Sequence, residues 1–403
     1  MPSFVIVGAS LAGAKAAETL RDEGFDGDIV LLGSEPERPY ERPPLSKGYL
    51  LGSDERDSIY VHPADWYAQH GVDLRPGVTV TAIDRAAATV TASGPAGTES
   101  LSYDKLLLAT GAAPRRLSFP GADSSEVLYL RTVTDSDRLR SVFSPGTRVV
   151  IAGAGWIGLE TAAAARAADC PVTVLEPQSG ALHAQLGPEL GAVFADLHRA
   201  HGVEFRFGEQ TAEFRPGLVI TSGGANLQAD VLVVGIGAAP NDALAADAGL
   251  EVSGGVLTDA ALRTSDPNIF AAGDVANSFH PLLGRRVRVE HWANALNGGP
   301  AAARSMLGQP VVYDPVPYFY SDQYDLGMEC AGLPSPGSYD QVLFRGDPKA
   351  LEFIAFWLHH GSVVAGMNVN VWDVNDDIQS LVRSARKIDP SRLTDPAIPL
   401  PDL

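Results

Sequence analysis

Phe4-Val5-Ile6-Val7-Gly8-Ala9-Ser10-Leu11-Ala12-Gly13 opens the chain, and Arg148-Val149-Val150-Ile151-Ala152-Gly153-Ala154-Gly155-Trp156-Ile157-Gly158 repeats its design far downstream. In each copy an apolar run reads as a buried parallel strand that meets a glycine turn and then a helix. The helices are expected over Ala12–Glu23 and Leu159–Ala168. The first glycine of such a turn permits the sharp bend, and the last lets helix and strand pack closely. The helix start then presents N–H groups and a positive dipole end to a pyrophosphate. The second copy carries all three glycines of G-x-G-x-x-G, whereas Ser10 takes the middle place in the first. Serine is small there and brings a hydroxyl that can donate.

Working outward, each copy runs into a second apolar strand closed by an acid: Ile29–Leu32 before Glu35, and Pro171–Leu175 before Glu176. A carboxylate at that place accepts from a ribose hydroxyl and repels a 2′-phosphate, so Glu176 predicts NADH over NADPH. Two mononucleotide-binding units imply two dinucleotides, and NAD with FAD is the natural pair.

The totals bound this reading. A chain of 403 residues predicts two or three domains, and 45% hydrophobic with 20% charged residues is ordinary for a globular enzyme. No apolar run reaches the roughly 20 residues of a membrane helix. The N-terminus enters its strand at once, leaving no room for a signal peptide, so the cytoplasm is expected. Cys170 and Cys330 are far apart with no C-x-x-C, which argues against a disulfide framework, a metal site or a redox dithiol. A net charge of −19 argues against nucleic acid as a partner.

Other stretches carry weaker signals. Pro43-Pro44 stiffens the loop before Ser46 and Lys47, with Ser46 expected to cap a short helix. That loop is either a cofactor wall or a surface turn. Val78–Ile83 and Ala88–Ala92 alternate as an antiparallel meander. Strands ending at Thr110-Gly111 and at Gly235-Ile236-Gly237 parallel one another. The strand Asn268–Ala272 ends in Gly273-Asp274, which leads into an expected helix; Asp274 either caps that helix or holds a sugar or ribityl hydroxyl. From Pro315 the composition turns aromatic and β-rich, with a helix expected over Val374–Arg386.

The chain resembles the NADH-dependent, FAD-containing ferredoxin reductases of bacterial oxygenase systems, within the pyridine nucleotide–disulfide oxidoreductases. The motifs that carry the resemblance are Arg42–Lys47, Leu108–Gly111, Tyr129–Thr132, Gly153–Glu160, Thr264–Pro267, Ala272–Asp274, Arg288–Trp292 and Ser321–Tyr324. It implies an α/β fold of two Rossmann-like dinucleotide-binding domains, glutathione-reductase-like, plus a C-terminal α+β domain. The FAD domain would be discontinuous, 1–112 and 241–315, around an NADH domain over 113–240, with 316–403 as the third.

The resemblance also implies roles. FAD would lie along Gly8, Ser10, Ala12 and Gly13, with Ser34 and Glu35 at its ribose and Val80 at its adenine. Arg42, Thr110, Gly111, Arg131 and Asp274 would complete its site. Lys47, paired with Glu160, and Trp292 would serve the flavin ring. NADH would take Gly153, Gly155, Ile157, Gly158, Glu176 and Gly237. The partner would be an iron–sulfur ferredoxin serving a haem-thiolate monooxygenase or a ring-hydroxylating dioxygenase. Such ferredoxins are usually acidic, as this chain is, so local basic residues must overcome the repulsion; Arg285, Arg286 and Arg288 near the flavin motifs and Arg304 after Trp292 are the candidates for docking. Tyr318 and Tyr320 stand where relatives often carry Trp. Two rival readings are an NADH-dependent thiol or disulfide reductase and an NADH-gated interaction protein resembling apoptosis-inducing factor.

Overall fold

A computed structural model describes residues 1–403, which divide into two compact units. The first comprises 1–41, 56–113 and 238–317, and the second 42–55, 114–237 and 318–403.

The first unit is built on a parallel five-stranded sheet. Its order is Ile269–Ala271, Lys105–Leu108, Ser3–Val7, Asp28–Gly33, Val72–Pro76. Both faces of the central strand are covered, so it is apolar throughout rather than alternating. Val5 sits between Val30 and Leu106, and Ile6 between Leu31 and Leu107. The helix Leu11–Asp22 follows the first strand. Its small buried face, with Ala12, Ala16 and Ala17, joins Ala302, Ala303 and Met306 of the helix Trp292–Met306 in one apolar cluster. A three-stranded antiparallel meander, Thr79–Asp84, Thr89–Gly94 and Gly97–Ser102, extends the expected pair of strands by one.

The second unit contains the same arrangement again. Its parallel sheet runs Val203–Phe207, Val172–Glu176, Val149–Ala152, Val231–Val234, Val127–Tyr129. Ile151 sits between Val174 and Val233, as Val5 and Ile6 do in the first sheet. The helix Trp156–Ala167 follows, and a second meander spans Thr211–Arg215, Gly217–Thr221 and Asn226–Ala229. This unit also holds an antiparallel five-stranded sheet ordered Tyr318–Gln323, Leu326–Gly332, Ser362–Val369, Glu352–His359, Gln341–Asp347. Trp357, Phe353 and Phe356 are fully buried in it, and the helix Asn375–Ser384 lies near the expected Val374–Arg386.

One expected element is absent. Gly273–Val275 is a single 3₁₀ turn, and the chain then continues as the strand Ala276–His280 rather than a helix. That strand pairs in parallel with Val256–Thr258, and the ladder bonds displace the helix that Gly-Asp alone suggested. No helix is long and apolar enough to cross a membrane.

Candidate functional site

The two glycine turns are closed by the same contacts. Gly8 has φ +122°, and a Cβ there would lie 2.0 Å from the carbonyl oxygen of Ala109 on the neighbouring strand end. Gly153 has φ +103° and would meet the carbonyl of Gly235 at 2.4 Å. A Cβ on Gly13 or Gly158 would lie 2.1 Å from the carbonyl of Gly8 or Gly153 respectively. Both helices therefore start in van der Waals contact with their own turns, which any side chain would break.

The middle position differs. Ser10 has φ −123° and ψ −163°, extended backbone open to any residue, and its hydroxyl makes no capping bond to the helix. Gly155 is likewise extended at φ −80°, and a Cβ there would meet nothing closer than 3.8 Å. The fold itself does not require glycine at Gly155; the free space in front of the helix N–H groups fits a pyrophosphate. Beside it, Ile157 is 41% exposed, an apolar side chain a bound dinucleotide would cover. The residues present thus fit a dinucleotide at each turn.

The acids behave differently from simple ribose ligands. Glu176 accepts from the backbone N–H of Ala154 through Oε2 and from that of Gln178 through Oε1, each at 2.9 Å. Glu35 accepts from the hydroxyl of Tyr40. Tyr40 was not foreseen, because nothing in its spacing marks it as more than a loop aromatic. Ser34 is exposed beside Glu35, and Val80 is buried in its meander strand.

Elsewhere in the first unit, Thr110 donates to the carbonyl of Asn241 at 2.8 Å and its own carbonyl accepts from the Asn241 amide at 2.8 Å. Gly111 follows at φ +68°. Ala12 is buried against the Gly273 turn that carries Asp274, whose carbonyl accepts from Arg288 at 3.2 Å. Trp292 starts the last helix of this unit. Burial pushes the carboxyl of nearby Glu41 up, while the Trp292 indole N–H and Lys15 pull it back.

Arg42, Lys47 and Arg131 belong to the second unit. Arg42 donates to the carbonyl of Arg131 at 2.5 Å. Lys47 Nζ lies 2.8 Å from Glu160 Oε1, with Lys47 15% and Glu160 4% exposed, so the pair is largely desolvated. The Lys47 ammonium also faces the ring of Tyr320, 5.4 Å from its centroid. Ser46 does not cap a helix; its hydroxyl donates to Glu160 Oε2. Ser321 donates to Glu160 Oε1 at 2.6 Å. Gly237, at φ +92°, accepts through its carbonyl from the N–H of Arg115 at 2.9 Å.

Three of the four arginines expected at a docking face, Arg286, Arg288 and Arg304, are engaged with their own chain. Arg304 pairs with Glu23 at 2.8 Å, Arg288 with Glu290, and Arg286 donates to the carbonyl of Thr258 at 2.5 Å. Cys170 and Cys330 are free and buried, and burial pushes both thiols up.

Residues 2–299 match the pyridine nucleotide-disulphide oxidoreductase family, and residues 318–403 match the reductase C-terminal family. The ferredoxin–NAD(+) reductase component of the anthranilate 1,2-dioxygenase system of Burkholderia cepacia is 40% identical over 402 residues, covering 98% of each chain. Putidaredoxin reductase of Pseudomonas putida is 35% identical over 411 residues, covering 100% of this chain and 96% of its own. The reductase of a covalent putidaredoxin reductase–putidaredoxin complex superposes with a TM-score of 0.95 at 35% identity, covering 100% of this chain and 97% of that one. The chain belongs to the pyridine nucleotide-disulphide oxidoreductase family, among the ferredoxin reductases that carry the reductase C-terminal domain.

Proposed function

We infer that the protein is an NADH-dependent, FAD-containing ferredoxin reductase that feeds an oxygenase system. The observation that carries this is the duplicated glycine turn, with a free space at Gly155, in a chain related along its whole length to such reductases. When bound, FAD supplies a hydride acceptor for NADH and a store from which electrons leave singly to an iron–sulfur centre.

The chain's own residues bind and align. The turn at Gly8–Gly13 holds the FAD pyrophosphate against the helix start, with Ser10 donating its hydroxyl, Glu35 at the ribose and Asp274 at the ribityl chain. The turn at Gly153–Gly158 holds NADH, with Glu176 at its adenosine ribose. Hydride transfer needs alignment more than acid–base chemistry, so no nucleophile is required. Lys47 supplies positive charge that favours reduced flavin, and Glu160 keeps that ammonium in place. Trp292 would lie on the wall of the flavin site. We assign FAD binding to 1–112 with 241–315, NADH binding to 113–240 and a separate C-terminal domain to 316–403. The cytoplasm is the proposed location.

The thiol-reductase rival lacks support from the side chains. A thiol reductase needs an accessible cysteine pair, and both cysteines are buried. The decisive measurement is NADH-dependent reduction of cytochrome c by the FAD-loaded enzyme with and without candidate ferredoxins. Turnover that rises with added ferredoxin is expected. Turnover that no ferredoxin changes would overturn the reading.

A further inference from the structure

The motif Ser321-Asp322-Gln323-Tyr324 lies on and just beyond the strand Tyr318–Gln323. Its inward-facing members are polar yet buried: Ser321 and Gln323 are each 1% exposed, and His198, from the helix Pro188–Ala200, is fully buried. Buried polar side chains are costly unless hydrogen-bonded, and these are bonded to one another in series. Tyr324 OH lies 3.2 Å from His198 Nδ1. His198 Nε2 lies 2.8 Å from Gln323 Oε1. Gln323 Nε2 donates to Ser321 Oγ at 3.0 Å, and Ser321 Oγ donates to Glu160 Oε1 at 2.6 Å.

The direction of each bond follows from chemistry. A carbonyl oxygen only accepts, so His198 Nε2 carries the ring proton toward Gln323. Burial pushes the imidazole down to about 4, leaving it neutral with Nδ1 free to accept from Tyr324. The Gln323 amide is then oriented with its nitrogen toward Ser321, and the single Ser321 proton goes to Glu160. Every donor points the same way, and bonds in such a chain polarise one another. Its outer end is anchored too. Tyr324 holds φ +57° in the hairpin turn and stacks on His201 with ring centroids 3.7 Å apart. A non-glycine residue keeps that backbone only where its surroundings fix it.

We propose that Tyr324, His198, Gln323 and Ser321 form a one-way hydrogen-bond relay that fixes the Glu160 carboxylate and, through it, positions the Lys47 ammonium for flavin reduction. These are positioning residues. The proposal rests on the role assigned to Lys47 above. Ser321 takes one of the accepting sites on Oε1, so Lys47 is confined to the remaining one at 2.8 Å.

The test is stopped-flow bleaching of the FAD-loaded enzyme by NADH, with FAD content measured in each variant. Ser321→Ala and His198→Leu are expected to slow bleaching about tenfold, the worth of one hydrogen bond to a charged group. Ser321→Thr keeps the hydroxyl, and His198→Gln keeps an N–H where Nε2 stands; both are expected to restore the rate to within about threefold. In the Lys47→Ala background, Ser321→Ala should add nothing, because the residue it positions is gone. Equal rates for His198→Leu and His198→Gln, or a full additive loss in the double variant, would overturn the relay while leaving Lys47 in its role. A wild-type rate for Lys47→Ala alone would overturn the role of Lys47 and the relay with it.

Discussion

Glu176 Oε2 accepts a hydrogen bond from the backbone N–H of Ala154 at 2.9 Å, so the acid that ends one strand holds the glycine turn that ends its neighbour. The carboxylate expected to select NADH also shapes the glycine turn itself. Glu176→Ala removes both functions. A hydrogen bond to a charged group is worth about 1.5–3 kcal/mol, so KM for NADH should rise by roughly tenfold or more. The preference for NADH over NADPH should shrink as the repulsion of a 2′-phosphate is lost. Steady-state rates with each nucleotide check this, and an unaltered KM for NADH would remove Glu176 from the site.

Gly155 and Gly158 predict opposite outcomes for the same substitution. A methyl at Gly158 would lie 2.1 Å from the Gly153 carbonyl, whereas one at Gly155 meets nothing within 3.8 Å. Gly158→Ala must push the helix off its strand and should cost about 2–4 kcal/mol of stability. Gly155→Ala should leave thermal stability and FAD content near wild type but raise KM for NADH about tenfold, because the methyl enters space reserved for phosphate. Thermal melts beside kinetics separate the two. A destabilised Gly155→Ala would mean that the fold, not the ligand, requires that glycine.

How much of this was legible depends on how local the cause is. The glycine turns could be read because the helix-to-turn contact lies within six residues, Gly13 against Gly8 and Gly158 against Gly153, although the Gly8 and Gly153 contacts with Ala109 and Gly235 are distant in sequence. Strand, turn, helix and acid recur in order, so both parallel sheets followed. The strand after Asp274 could not be read this way, because its ladder partner Val256–Thr258 competes with a local helix signal. The Lys47–Glu160 pair joins residues 113 positions apart and came only from the family resemblance. The relay beyond it was missed. A signal did exist: Ser321 and Gln323 are polar at the inward-facing positions of a strand that begins with three aromatics, where period two calls for apolar side chains. Partners such as His198, 125 residues away, are set by packing and leave no local trace.

Lys47 and Glu160 allow stability and function to be pulled apart. Removing one member of a buried ion pair strands the other charge and costs about 3–5 kcal/mol, whereas replacing both with neutral groups is often harmless. Lys47→Met should therefore lower stability and also slow flavin reduction by roughly ten- to hundredfold, with FAD still bound. Adding Glu160→Gln should recover most of the stability, since no charge remains to be satisfied. It should not recover the rate, because the ammonium is still missing. Urea melts and stopped-flow bleaching on the same preparations decide the matter. A double variant that recovers the rate would show that Lys47 serves only the fold.

His198 predicts how stability responds to acid. In the folded protein burial holds its imidazole down to about 4, against an ordinary value of 6.5. Above about pH 6.5 the ring is neutral in both folded and unfolded chains, and it contributes no pH dependence. As pH falls below 6.5 the unfolded chain takes up the proton and the folded one does not, so the unfolded state gains. Stability is lost progressively down to about pH 4, by an amount on the order of 2–3 kcal/mol at the lower end. His198→Gln retains the neutral donor toward Gln323 and abolishes the titration. Urea melts near pH 7.5 and near pH 5 should show a smaller acid loss in this variant than in the wild type, by about 2 kcal/mol. Carboxylates titrate alike in both proteins and cancel from the difference. Parallel acid losses would mean that the His198 imidazole accepts a proton inside the fold, and the acceptor role assigned to its Nδ1 toward Tyr324 would have to be given up.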